Sequence, residues 1–159
     1  MNKEVLTLKQ FLHRYGTDTC TNFQLIAWAK DLKIKNFHYA MRDEIKKLKR
    51  IKKLPIYIIA NYQTSIERGS HHVAMYKDIN NANLFALTKS KNNNFYFDSY
   101  GIAPIKEALD FLGVGVYSNF KIQTDNSKMC SQLSLYLLYK LNLGYNYFDT
   151  VLEMYNEFH

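Results

Sequence analysis

The first fifty residues carry their apolar positions at helical spacing, whereas from His71 onward short apolar and aromatic runs alternate with turn-forming residues. Leu8, Phe11 and Leu12 make one amphipathic stripe, and Gly16 gives it a stop. Thr21 or Asn22 then caps a second helix that reaches about Leu32. Both helices are expected at the periphery. Met41 to Arg50 predicts a third helix. Leu54 to Ala60 reads as a buried strand with Pro55 at its start.

Beyond His71 the pattern predicts three strands of an antiparallel meander, at His72 to Tyr76, Leu84 to Thr88 and Phe95 to Asp98. Asn80-Asn81 and Lys91 to Asn94 supply the turns. A helix from about Pro104 to Phe111 follows, with Glu107 early in it and Ile105, Leu109 and Leu112 as its apolar stripe. Tyr117 to Gln123 predicts another strand. Asp125, Asn126 or Ser127 caps a helix from about Lys128 to Leu141 that is apolar on most faces and therefore buried. A last helix runs from about Phe148 to Phe158. The expectation is a single α+β domain over residues 1–159, with a mostly antiparallel sheet packed against helices.

Composition narrows the class. The 159 residues are 47% apolar and 22% charged, with six Gly and two Pro, which excludes disordered and fibrous chains. No run approaches the roughly 18 apolar residues of a membrane span, and the amino terminus lacks the apolar core of a secretory signal. A soluble, unsecreted protein is expected. Cys20 and Cys130 are the only cysteines, too few for a disulfide framework and without zinc-site spacing, so free thiols and no metal are expected. Net charge is +7, and the run from Lys46 to Lys53 holds six cations, Lys46, Lys47, Lys49, Arg50, Lys52 and Lys53. Such density suits either a solvated helix face or a phosphate backbone.

Candidate chemistry centres on Cys130. It falls in the first turn of the predicted buried helix, where unpaired N–H groups and the positive end of the dipole favour a thiolate. A thiolate nucleophile needs a base and a group to orient it. Of five histidines, only the pair His71-His72 opens a predicted strand after a Gly-Ser turn, and Asp98 ends a neighbouring one. Either histidine could serve on this ground alone.

The ordered segments Gly69-Ser70-His71-His72-Val73-Ala74, Tyr96-Phe97-Asp98-Ser99-Tyr100-Gly101, and Gln123 seven residues before Cys130 resemble the motifs of adenovirus-type cysteine proteases. The similarity is greatest to the maturation proteases of virophages and virus-like DNA transposons. Their amino-terminal pattern resembles Thr21-Asn22-Phe23-Gln24-Leu25 and Met41-Arg42-Asp43-Glu44-Ile45, so the resemblance covers about residues 20 to 140. It implies a papain-like fold of the adenain and ubiquitin-like-protease type. It makes Cys130 the nucleophile, His71 the base, Asp98 its orienting acid, and Gln123 a donor to the oxyanion beside the Cys130 N–H. His72 then takes the place of a residue that is usually aromatic, on the opposite face of its strand from His71. Ser131 stands where the family commonly has glycine, so its extra atoms are expected to narrow the site or alter access.

The implied activity is cleavage of capsid or other virion precursors during particle maturation, in the virion and in virus factories of the cytoplasm or nucleus. The chemistry requires no cofactor. Adenovirus proteases use DNA and a peptide as activators, and the basic run makes viral DNA the expected one here. Two alternatives stand beside this reading: a protease that removes ubiquitin-like modifiers, and an inactive nucleic-acid-binding module on a protease scaffold.

Overall fold

Every residue of the strand Ile56–Asn61 is buried, the mark of a strand covered on both faces. Ile56, Ile58 and Ala60 join one apolar core with Ile45, Leu48, Phe111 and Leu112. Tyr57 and Ile59 join another with Phe11, Leu25, Leu133 and Leu137. The computed structural model describes residues 4–66, 71–80, 93–113 and 116–159. Over these the chain is an α+β fold built on a five-stranded mixed sheet. The expected turn Gly69-Ser70 and strand Leu84 to Thr88 lie outside the described residues.

Strand order follows chain order: β1 (Phe37–Met41), β2 (Ile56–Asn61), β3 (His72–Lys77), β4 (Phe95–Phe97) and β5 (Val116–Tyr117). The two central pairings, β2 with β3 and β3 with β4, are antiparallel. The outer pairings, β1 with β2 and β4 with β5, are parallel, so the mostly antiparallel sheet expected from sequence is in fact mixed. Parallel neighbours need a crossover, and each has one here. A 3₁₀ helix, Arg42–Arg50, links β1 to β2, and α3 (Lys106–Leu112) links β4 to β5. Both crossovers bury their apolar side chains, Ile45 and Leu48 or Ala108, Phe111 and Leu112, on the same face of the sheet.

The opposite face carries α1 (Leu8–Tyr15), α2 (Asn22–Asp31), α4 (Cys130–Asn142) and α5 (Tyr147–Phe158). Thr7 with Gln10, and Thr21 with Gln24, form reciprocal capping boxes that start α1 and α2. Neither helix is peripheral. Phe11 is fully buried, edge-on to Tyr136 with ring centroids 5.1 Å apart, and Leu25 is likewise fully buried.

Four further expectations are corrected. The expected third helix from Met41 is split, because Met41 completes β1 and only Arg42 onward coils. α3 starts at Lys106 and not at Pro104, and of its expected stripe Ile105 and Leu112 are buried but Leu109 is 48% exposed, because the face turned to the sheet is centred on Ala108 and Phe111. Strand character from Tyr117 to Gln123 stops at Tyr117, because the N–H groups of Ile122 and Gln123 both donate to the Ser99 carbonyl instead of to a ladder. Asp125, Asn126 and Ser127 do not cap α4. Ser127 N–H donates to the Thr124 carbonyl in a separate turn, and the cap position falls to Met129, which offers no side-chain bond.

The turn after β4 is held by Gly101, whose φ is +73° and whose N–H donates to the Asp98 carbonyl at 2.8 Å. A Cβ there would sit 2.6 Å from the Asn119 carbonyl oxygen, so backbone strain and collision combine. Gly16 has φ +83° but open space around it. Gly101→Ala should therefore lower stability by about 3 kcal/mol, and Gly16→Ala by only about 1 kcal/mol, the strain alone. Urea denaturation followed by tryptophan fluorescence measures both, and equal losses would remove the collision from the account.

Candidate active site

Three chain segments meet where α4 begins. β3 starts and β4 ends at the same end of the sheet, because they are antiparallel with Ala74 opposite Phe97. That places His71, just ahead of β3, beside Asp98, just beyond β4. The His71 Nε2 to Asp98 Oδ1 distance is 3.0 Å, which leaves Nδ1 as the ring nitrogen for a second partner. The ring lies between Tyr100 and Tyr62, with centroids at 5.0 and 5.8 Å. Asp98 is fully buried, and its Oδ1 also accepts the Tyr100 N–H at 2.8 Å. Its Oδ2 finds no hydrogen-bond partner among the described residues, so the carboxylate depends on His71 for its counter-charge.

Cys130 is the first residue of α4, a helix buried from Cys130 to Lys140. Its sulfur sits at the end of the helix whose N–H groups have no intrahelical acceptor. Cys130, His71, Gln123, Tyr100, Ser127, Lys128 and Thr19 line one cavity of about 280 Å³. The Gln123 side chain is fixed at both ends: Oε1 accepts from the Ser99 hydroxyl at 2.5 Å, and Nε2 donates to the Ser127 carbonyl at 2.6 Å. The second Nε2 hydrogen is left for the cavity. Sequence reasoning did not single out Ser99 or Ser127 as supports of Gln123. A serine directly after the candidate acid was the one available signal.

His72 is the first residue of β3 and shares its face with Ala74 and Tyr76, toward α4. The expectation that it points away from Cys130 is corrected. His71 lies ahead of the regular strand and is not bound by its alternation, so both histidines reach the start of α4. Ser131 does not narrow the cavity, because its Oγ is 2.7 Å from His72 Nδ1 and fully buried there.

Burial opposes ionisation of the Cys130 thiol, but hydrogen bonds from the His71 and His72 side chains and the His72 backbone, with the charge of His71, outweigh it and bring the pKa down to about 6. Burial likewise opposes the His71 imidazolium. Hydrogen bonds to Asp98 and then to Cys130, with both their charges, outweigh that and raise it to about 9. Between these values the pair is a thiolate and an imidazolium.

The six cations from Lys46 to Lys53 are all exposed. They lie on and after the 3₁₀ helix, across the sheet from α4. Lys49 and Lys52 join Lys77 around a second cavity of about 400 Å³. The structure therefore does not bring the basic run to Cys130. Cys20 is a free thiol, partly exposed. No described helix is long and apolar enough to cross a membrane. The chain matches no protein-family model, and a search of curated proteins finds no significant relative.

The two shifts have opposite signs in linkage. The stability owed to His71 is complete below the ordinary imidazole value and lost as pH rises through about 9. That owed to Cys130 is complete above the ordinary thiol value and lost as pH falls through about 6. Over the window between them the slopes cancel, so reactivity follows pH while this pair's share of stability does not. Alkylation of Cys130 by iodoacetamide should rise with a midpoint near pH 6 and, in His71→Ala, with a midpoint moved toward the ordinary thiol range. Site-resolved mass spectrometry reads both, and an unmoved midpoint in the variant would dissolve the ion pair.

Proposed function

We propose that this chain is a cysteine endopeptidase of the adenovirus-protease type, with the papain-like arrangement of that group, acting on capsid or other virion precursors. The observation that carries the reading is one cavity lined by Cys130 at a helix start, His71 held by Asp98, and Gln123 with a free amide hydrogen. That is the donor, base and nucleophile set that peptide hydrolysis requires.

The Cys130 thiolate attacks the scissile carbonyl carbon, and the oxygen that gains charge accepts hydrogen bonds from the Cys130 N–H and Gln123 Nε2. His71, protonated, gives its proton to the leaving amine as the C–N bond breaks. Neutral His71 then takes a proton from water, which attacks the thioester. The thiolate leaves, and His71 again carries the proton. Asp98 holds the ring through Nε2 in both halves, and Ser99 and Ser127 keep the Gln123 amide turned toward the oxyanion.

The exposed basic face supports a second reading, nucleic-acid binding without turnover. DNA as an activator belongs to the same observation, since both need a phosphate backbone along Lys46 to Lys53. Removal of ubiquitin-like modifiers uses the same chemistry and differs only in substrate.

Incubation of the chain with capsid precursors and with a modifier fusion, with and without DNA, tests these readings by mass spectrometry of products. Discrete precursor cleavage by the parent and none by Cys130→Ala is the expected result. Gln123→Ala should keep the fold and lower turnover by about 10²–10³. Salt-sensitive DNA retention with no cleavage, and no labelling of Cys130 by a thiol-directed electrophile, would replace the protease with the binding module.

A further inference from the structure

Behind the cleft, a polar chain that is buried except at the half-buried Tyr39 ends on the residue next to the nucleophile. Asn61 Nδ2 lies 3.3 Å from the Tyr39 hydroxyl, that hydroxyl lies 2.9 Å from His72 Nε2, and His72 Nδ1 lies 2.7 Å from Ser131 Oγ. Asn61, His72 and Ser131 are each buried. The amide of Asn61 donates to the Tyr39 oxygen, which frees the phenolic hydrogen for Nε2. The ring proton then sits on Nδ1 and is donated to Ser131. The Ser131 hydroxyl has its own hydrogen left, and Cys20 is its partner. The donors thus run in one direction, and the His72 ring proton is shared between Ser131 Oγ and the Cys130 sulfur. A polar chain buried and satisfied in this way holds a single arrangement.

The chain crosses β1, β2, β3 and α4, so it ties the first turn of α4 to three strands at once. A glycine at 131 would take from Nδ1 its oxygen acceptor, and an aromatic ring at 72 would take from the Ser131 hydroxyl its donor. Each buried group would lose a hydrogen bond that water does not replace. The two residues therefore belong together. We propose that His72 is a positioning residue: through Ser131 it fixes the first turn of α4, and with it the Cys130 sulfur, as a second support independent of Asp98 and His71.

The titratable groups around this sulfur are His71 ahead of β3, His72 on β3, Tyr39 on β1, Cys20 ahead of α2 and Tyr100 beyond β4, with Asp98 acting through His71. Its catalytic consequence rests on Cys130 as the nucleophile, but the test reads the sulfur and not turnover. Site-resolved alkylation of Cys130 against pH is measured in the full chain for Ser131→Gly, His72→Phe, the double variant, His72→Asn and Tyr39→Phe, each with its thermal midpoint. Ser131→Gly should raise the alkylation midpoint by about one pH unit, and His72→Phe by more, because it also removes the ring's own charge-assisted bond to the Cys130 sulfur. The double variant should match His72→Phe, because that change already breaks the pair. His72→Asn keeps a donor beside Ser131 and should restore part of the shift.

Thermal midpoints that fall while the alkylation midpoint stays in place would reduce His72 to a packing residue and overturn the proposal, and so would additive shifts in the double variant. If His72→Phe does not fold, Ser131→Gly and Tyr39→Phe decide alone, since each removes a bond and adds no bulk. A low parental alkylation midpoint without cleavage of any precursor would end the protease reading and leave this one standing.

Discussion

Burial of α4 on all sides is the constraint from which the rest of the arrangement follows. Its side chains from Cys130 to Lys140 are buried, with Leu133, Leu135, Tyr136, Leu137 and Leu138 among the best-buried residues of the larger core. A helix gripped in this way cannot slide or turn without opening that core, so its first residue is a fixed point. No side chain caps it. The N–H groups of its first turn are then available to a charge at that end, and the nearest group able to carry one is its own first side chain, the Cys130 thiol.

Electrostatics at that point couple three segments that are distant in sequence. Asp98 is fully buried and one of its oxygens lacks a partner among the described residues, an arrangement tolerable only with a cation alongside. His71 is that cation, and a charged His71 in turn favours a charged Cys130. Proton transfer from thiol to imidazole thus converts a lone buried carboxylate beside a neutral pair into alternating charges, minus, plus, minus. The gain appears as two opposed pKa shifts and leaves the number of bound protons unchanged through the neutral range, which is why reactivity can be set here with little penalty in stability.

Much of this was legible because it is written locally. Thr21, Gly16 and the apolar spacing gave α1 and α2, and the runs Ile56–Asn61, His72–Lys77 and Phe95–Phe97 gave the central strands. What could not be read is what depends on partners. β1 is short, holds His38, and takes its place from its parallel pairing with β2. The segment from Ser118 to Gln123 has strand-like residues, but Ser99 supplies the acceptor its N–H groups use. The 3₁₀ form of Arg42–Arg50 likewise follows from tertiary packing, with Ile45 and Leu48 seated under the sheet. In the site, helix position pointed to Cys130 and strand ends to Asp98 and the His71-His72 pair, while the choice of His71 and the role of Gln123 came only from the resemblance. Of the groups that aim them, Ser99 is marked only by following Asp98, and Ser127, Tyr39 and Asn61 carry no local signature, because their effect lies in distances between segments.

The tandem histidines show how a strand boundary can separate two roles. In a regular strand, neighbours face opposite sides, and a pair such as His71-His72 would then offer only one ring to any site. Here the ladder begins at His72, so only that ring is bound by the alternation and faces α4 with Ala74 and Tyr76. His71, one residue before the ladder, follows the turn and the Asp98 carboxylate instead. One ring lines the cavity with Cys130, and the other lies behind it, bonded to Ser131 and Tyr39. A shift of the strand start by a single residue would exchange these environments, placing His71 under the constraint of the sheet. The Tyr62 N–H to His71 carbonyl bond of 2.7 Å lies at the boundary itself, between the histidine that lines the cavity and the one that stays with the sheet.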